Sequence, residues 1–135
     1  MDSNVNWDQL VDALRDELQE KGGLIRLLNQ QTETLYRRDI IENERLEEQI
    51  RTQLRLISRC TQGREFALRQ AAAKLELNED VQSHDVIRRF PEYVHPLLEA
   101  LFSEVDRLSN RMIERLKQNQ GLKQRFIFEA SPAGS

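Results

Sequence analysis

The sequence predicts an all-α protein, an elongated antiparallel bundle of three long helices with one short connecting helix. Three observations carry this. Punctuation is sparse, with 5 glycines and 3 prolines in 135 residues, so few positions can break a helix. Glu, Gln, Arg and Leu dominate while aromatics make up only 6%, a balance that belongs to long helices and coiled-coil-like bundles. Apolar residues recur at steps of four and three over long stretches, which places them on one helical face.

The first stripe runs Trp7, Val11, Leu14, Leu18, Lys21, Ile25, Leu28, Thr32 and Leu35. Only Lys21 and Thr32 break its apolar character, so a helix over 7–38 must lay this face against other helices. Leu10, Leu24 and Leu27 widen the stripe beyond a two-stranded seam, which favours a bundle. Asn4 or Asp2 is the expected N-terminal cap. Gly22-Gly23 falls mid-helix, at about 1 kcal/mol per glycine relative to Ala; a kink or a close helix crossing is expected there, with the helix continuing.

Arg38-Asp39 reads as a corner, with Asp39 and Glu42 forming a variant of the capping box that restarts a helix. The second helix, 40–75, carries the stripe Ile50, Leu54, Ile57, Thr61, Arg64, Leu68, Ala71 and Leu75, extended backwards by Leu46. Tyr36-Arg37-Arg38 complements the dipole at the preceding helix end. Arg64 allows two readings: an arginine snorkelling or pairing at the bundle edge, or a buried pair that fixes register.

Residues 76–93 lose the periodicity. Asn78, Glu79, Asp80 and Ser83 are turn and cap formers, a short helix is expected at 83–90, and Pro91 ends it. Pro96 suits the first turn of a last helix, 94–119, whose stripe is Val94, Leu98, Leu101, Val105, Leu108 and Met112. Leu97, Phe102, Ile113 and Leu116 broaden that face. Asn119-Gln120-Gly121 reads as a stop, followed by an apolar knot at Phe126-Ile127-Phe128. The expected organisation is a single domain over 1–126 and a flexible tail over 127–135. Trp7 and Met112 lie on stripes and are expected in the core.

The net charge of −3 gives no footprint for nucleic acid. Charge is uneven: residues 1–48 hold twelve acidic and six basic side chains, whereas residues 104–125 hold three and six. In a bundle, that asymmetry pairs helices within the molecule. No segment reaches the ~18 apolar residues of a membrane span, and no secretory signal pattern opens the chain, so a cytoplasmic location is expected. A lone Cys60 excludes an internal disulfide and reads as a small core or boundary residue.

No Ser/His/Asp grouping or phosphate-cradling glycine loop is present, and no enzyme, cofactor or metal site is expected. His84 and His95 lack the surroundings of a phosphotransfer histidine. Glu92 and His95 have the Glu-x-x-His spacing of carboxylate-bridged metal bundles, but such sites require a second copy and further carboxylates.

The order of features resembles the FlgN family of flagellar type III export chaperones. The residues that carry the likeness are Leu24, Leu27, Leu28 and Leu35, then Asp39 at the corner, then Leu46, Ile50, Leu54, Ile57 and Arg64. They continue through Phe90-Pro91-Glu92 to Leu97, Leu101, Val105, Leu108, Asn110, Met112 and Ile113. The likeness spans roughly 7–120 and departs where a second Asn, often found in the family shortly after the first, is replaced around Met112-Ile113. It implies a cytoplasmic chaperone that binds the amphipathic C-terminal helices of hook–filament junction subunits. Such a chaperone prevents their premature self-association and delivers them to the export machinery, as monomer or homodimer.

Capture of a helix in a groove requires exposed apolar residues at i, i+3, i+4 and i+7. The expected partner-binding set on the last helix is Val105, Leu108, Asn110, Met112, Ile113 and Leu116, with Met112 suited to an adaptable surface. The same residues can instead complete the chain's own bundle; Val105 and Leu108 lean that way, while Ile113 and Leu116 suit either use. The alternatives from other classes are a generic coiled-coil adaptor and a regulatory protein that sequesters a factor in the same groove.

Overall fold

The computed structural model describes residues 7–78 and 80–130, with side chains as far as Phe126. The expected caps Asn4 and Asp2, the turn former Glu79 and the segment 131–135 lie outside the described residues. Four α-helices follow in order: α1 (Trp7–Tyr36), α2 (Ile40–Lys74), α3 (Ser83–Arg88) and α4 (His95–Ala130), with a 3₁₀ turn at Glu92–Val94. The three long helices hold 30, 35 and 36 residues, so each rod is about 45–55 Å long at 1.5 Å per residue.

α1 is the central rod and packs along both α2 and α4, whose backbones stay farther from each other and which meet through side chains such as Glu47 with Lys123 and Arg64 with Phe102. Hydrogen bonds pair Gln31 with Asn43, Glu20 with Gln53 and Glu17 with Arg64, so α2 runs antiparallel to α1. Lys21 pairs with Ser109 and Gln31 with Asn119, so α4 runs in the same sense as α1. The architecture is therefore up-down-up, and each stripe has a neighbouring helix to bury against.

Both helix ends next to the turns are closed in the same way. Arg38 and Glu76 adopt left-handed backbone, φ 57° and 59°. At the first, Arg38 N–H donates to the Leu35 carbonyl and Asp39 N–H to the Thr34 carbonyl. At the second, Glu76 N–H donates to Ala73 and Leu77 N–H to Ala72. These paired bonds satisfy the last carbonyls of each helix in a Schellman motif, here without glycine. Asp39 also caps α2, its carboxylate accepting from Glu42 N–H at 3.1 Å. Only half of the expected capping box forms, because Glu42 turns to Arg45 instead.

The core divides into two clusters. One gathers Leu10, Val11 and Leu14 of α1, Ala71 and Ala72 of α2, Val86 and Ile87 of α3, and Val94, Leu98 and Val105 beyond. The other joins Leu24, Ile25 and Leu28 with Ile50, Ile57 and Met112. Burying each large aliphatic side chain contributes about 1.5–3 kcal/mol, so the clusters are what hold rods of marginal intrinsic helicity together.

Two expectations at element ends are corrected. α3 stops at Arg88 and not at residue 90, since Arg89 and Phe90 N–H groups turn to Val86 and Ile87 in a tighter winding. More consequentially, α4 does not stop at Asn119-Gln120-Gly121 but continues to Ala130. Asn119 is buried and bonded to α1 and so does not act as a cap. Gly121 costs only about 1 kcal/mol, against packing gained downstream at Leu122 and Phe126. The helix continues through Gly22-Gly23 as expected; a Cβ on Gly23 would lie 3.1 Å from the Gln53 side-chain amide nitrogen, which reaches over from α2 to donate to the Glu20 carbonyl at 2.8 Å. No helix among the described residues is long and apolar enough to cross a membrane.

Candidate functional site: a groove between the second and last helices

The six residues expected to bind a partner are divided by the fold. Val105 and Met112 are buried, in the first and second core clusters respectively. Leu108 and Leu116 are half-buried against the second cluster. Asn110 is exposed, and Ile113 stands 49% exposed. The reason is geometric: a helix offers one stripe to its own bundle, and Val105, Leu108 and Met112 lie on the stripe that faces α1. Only Ile113 and Asn110 stand out in solvent, while Leu116 enters the groove described next.

Because α2 and α4 flank α1 without closing on each other, their inward stripes leave a trough where α4 runs on past Asn119. α1 supplies its floor with Gln31, Thr34 and Leu35. Ile40, Glu47 and Ile50 line the α2 wall. Leu116, Lys123 and Phe126 line the α4 wall. Two hollows of about 430 Å³ each lie along it. Both are bounded by Glu47 and Lys123, whose side chains meet at 2.5 Å between Nζ and Oε1 and so cross the trough.

Exposed apolar side chains gather at the corner, Ile40 in the trough itself and Tyr36 and Ile41 next to it in the chain. Tyr36, Ile40 and Ile41 are 68%, 58% and 83% exposed. The Arg38 guanidinium lies over the Phe126 ring, 5.6 Å from its centroid, a cation–π contact that holds the end of α4 to the corner. A smaller hollow of about 200 Å³ beside exposed Phe66 lies on α2 near its C-terminal turn.

The scaffold under the trough is held by polar layers. Asn119 donates to the Leu28 carbonyl at 2.9 Å and to Gln31 at 3.0 Å, and accepts from Thr32 at 2.6 Å. Gln31 donates in turn to Asn43, which donates to Glu47. Burial works to raise the Glu47 carboxyl, but hydrogen bonding and charge from Lys123, with help from Asn43, hold it below its ordinary value. This chain links all three long helices.

A second polar layer separates the two core clusters. The fully buried Glu17 carboxylate accepts from Arg64, Thr61 and Lys21 at 2.8–3.2 Å. Lys21 also donates to Ser109 on α4 at 2.6 Å, and Arg64 lies 5.9 Å from the Phe102 ring centroid. Arg64 combines the two readings: its side chain is one-fifth exposed at the seam, while the Glu17 carboxylate it pairs with is wholly buried. Among the described residues, every buried side-chain nitrogen and oxygen has a hydrogen-bond partner, as a low-dielectric interior demands.

Glu17, Gln31, Asn43, Ser109 and Asn119 are the contributors that sequence reasoning missed. A signal existed for part of them: the polar interruptions Lys21, Thr61 and Arg64 fall at one level once α1 and α2 are set antiparallel. The remaining chemistry-bearing residues do not assemble. His95 bonds the Phe90 carbonyl at 2.8 Å, His84 sits beside Asp85 at the surface, and no three His, Cys, Asp or Glu side chains gather among the described residues. Cys60 is half-buried, where burial and the nearby Glu20, Asp16 and Glu17 push its thiol upward and disfavour the thiolate. Comparison with protein-family models, curated proteins and solved structures finds no match for this chain.

Proposed function

We propose that this chain is an export chaperone of the FlgN-like kind. In this reading it acts in the cytoplasm and captures amphipathic C-terminal helices of hook–filament junction subunits before type III export. The observation that carries the reading is the apolar trough between α2 and α4, with Ile40, Leu116 and Phe126 along its walls. An amphipathic helix laid there supplies the fourth side of a bundle that α1, α2 and α4 leave three-sided. The order of features along 7–120, from the leucine-rich first helix through Asp39 and Arg64 to the last stripe, supports the same class.

On this reading α4 works through Leu116 in the trough and through Ile113 and Asn110 at its outer face, while Val105, Leu108 and Met112 hold the helix in place. Shielding a client helix needs no catalytic group. It needs a preorganised apolar surface whose own elements do not rearrange on contact, which lowers the entropy cost of capture.

The test is direct titration of the purified chain with C-terminal segments of hook–filament junction subunits, followed by light scattering and calorimetry. A one-to-one complex that suppresses self-association of the segment is the expected result. Absence of binding to any such segment, together with co-purification of a transcription or secretion factor in its place, would overturn the reading.

A further inference from the structure

The trough has a charge pattern and a closure that define its occupant more narrowly. Its α2 wall carries Glu44 and Glu47 at the corner end and, beyond them, Arg51, whose charge is met by Glu48 at 3.6 Å. The corner itself adds the cap Asp39 and Arg38, the latter lying over Phe126. The charge on the α4 wall is Lys123, with Gln120 and Gln124 beside it. Leu116 and Phe126 stand ten positions apart on α4, about 15 Å or nearly three turns at the α-helical rise. Apolar positions recur along that length at both ends, Ile50 and Leu116 at one and Ile40 and Phe126 at the other. Between them the Glu47–Lys123 pair crosses from wall to wall.

We propose that this trough receives a single partner helix of about three turns, cationic along its flank on α2 and acidic along its flank on α4, and that the Glu47–Lys123 ion pair is the strap it displaces. The proposal rests on the helix-capturing reading above and names the partner chemistry of that same site. A cationic flank meets Glu44 and Glu47, an acidic flank meets Lys123, so a helix of this pattern replaces the strap's charges with its own. A helix of one sign throughout leaves one wall facing like charge, which costs affinity and selects against it. The strap keeps the two hollows apart until such a helix arrives, and being partly solvated it yields at small cost.

The experiment uses designed, labelled peptides of about 14 residues with one common leucine face. Their flanks are Lys on one side and Glu on the other, Lys on both, Glu on both, or Gln on both. Anisotropy with the full chain is expected to rank the mixed-charge peptide tightest, with amide shifts at Leu35, Ile40, Leu116 and Phe126. Ile40→Asp, which leaves α2 an acidic first turn and so preserves the helix, is expected to abolish that binding. Glu47→Gln releases the strap and is expected to tighten the Gln-flanked peptide by about threefold.

Equal affinity for all four peptides, shifts confined to Phe66 and its hollow, no binding at all, or a trough filled by a second copy of the chain in sedimentation would each overturn the proposal. Its failure is separable from failure of the chaperone reading. Junction subunits that bind elsewhere on the chain sink this site alone; a trough that takes the mixed-charge helix while no junction subunit binds sinks the chaperone reading alone.

Discussion

Arg64 reaches across the α1–α2 seam to Glu17 with two parallel hydrogen bonds, Nε to Oε1 at 2.9 Å and Nη2 to Oε2 at 3.2 Å. Glu17 is wholly buried and Arg64 is one-fifth exposed at its side chain. A buried carboxylate loses hydration worth several kcal/mol, which only converging donors restore. The pair therefore favours one alignment of α2 on α1, since a slide of one turn carries the Arg64 guanidinium away from the buried carboxylate and leaves it short of donors.

Removing one partner is expected to cost far more than removing all of them. Arg64→Met alone should lower stability by about 3 kcal/mol, because it leaves a buried charge short of donors. Glu17→Leu combined with Lys21→Met and Arg64→Met should recover most of that loss, since a packed apolar layer of similar volume has no desolvation to repay. Urea unfolding of the single and combined variants checks both statements. A combined variant as unstable as Arg64→Met would contradict the account.

Acid should loosen the bundle in a defined direction. Burial works to raise the Glu17 carboxyl, but hydrogen bonds from Arg64 and Lys21 and their charge outweigh it and hold the group below its ordinary 4.5. A depressed folded value means that the stabilisation is complete above about pH 4.5 and is lost as pH falls through the lowered folded value. Thermal melts across that window should show the decline, and the variant lacking Glu17, Lys21 and Arg64 should show a shallower one. An unchanged acid slope in that variant would count against Glu17 as a source.

Glu76 holds a left-handed backbone at φ 59° without being glycine. A side chain there costs about 1 kcal/mol, so Glu76→Gly should stabilise the chain by somewhat less than that amount. Arg38→Gly relieves the same strain at φ 57° but removes the contact with Phe126, and its gain should be smaller. Chemical denaturation of both variants distinguishes them; equal gains would show that the Arg38–Phe126 contact contributes nothing.

At the corner, Asp39→Ala removes the acceptor for Glu42 N–H and should cost about 1 kcal/mol, as N-cap losses do. Loss of amide exchange protection should concentrate in the first turn of α2.

On α4, neighbouring residues should respond very differently. Met112→Ala should cost about 2–4 kcal/mol by leaving a cavity in the second core cluster, whereas Ile113→Ala should shift stability by less than about 0.5 kcal/mol. Paired melts of the two variants would expose any error in the stripe that faces α1.

The register of the stripes made the three rods legible, because a four-and-three spacing has one helical face to fill and no strand alternative. Asp39 as a cap, Pro96 in a first turn and continuity through Gly22-Gly23 followed from local chemistry of the same kind. The end of α4 did not. Asn119-Gln120-Gly121 has the local look of a stop, and what overrides it is a set of partners on α1 that are near in space and distant along the chain.

Of the expected partner-binding set, the sequence identified the helix but could not rank its residues. Val105 and Ile113 are both apolar and both close to the last stripe; only the azimuth at which α4 meets α1 buries one and exposes the other. The trough was likewise invisible, since its walls come from residues 40–51 and 116–126, and neither segment alone has a groove.

Periodicity and capping by themselves determined which segments are helices and which face each one hides, for those depend on neighbours within a few residues. Tertiary structure decided which hidden faces meet, where Glu17 finds Arg64, and that α2 and α4 stand apart along one side. Those outcomes are set by close packing and by the need to satisfy every buried polar group at once, conditions that exist only when distant parts of the chain share one interior.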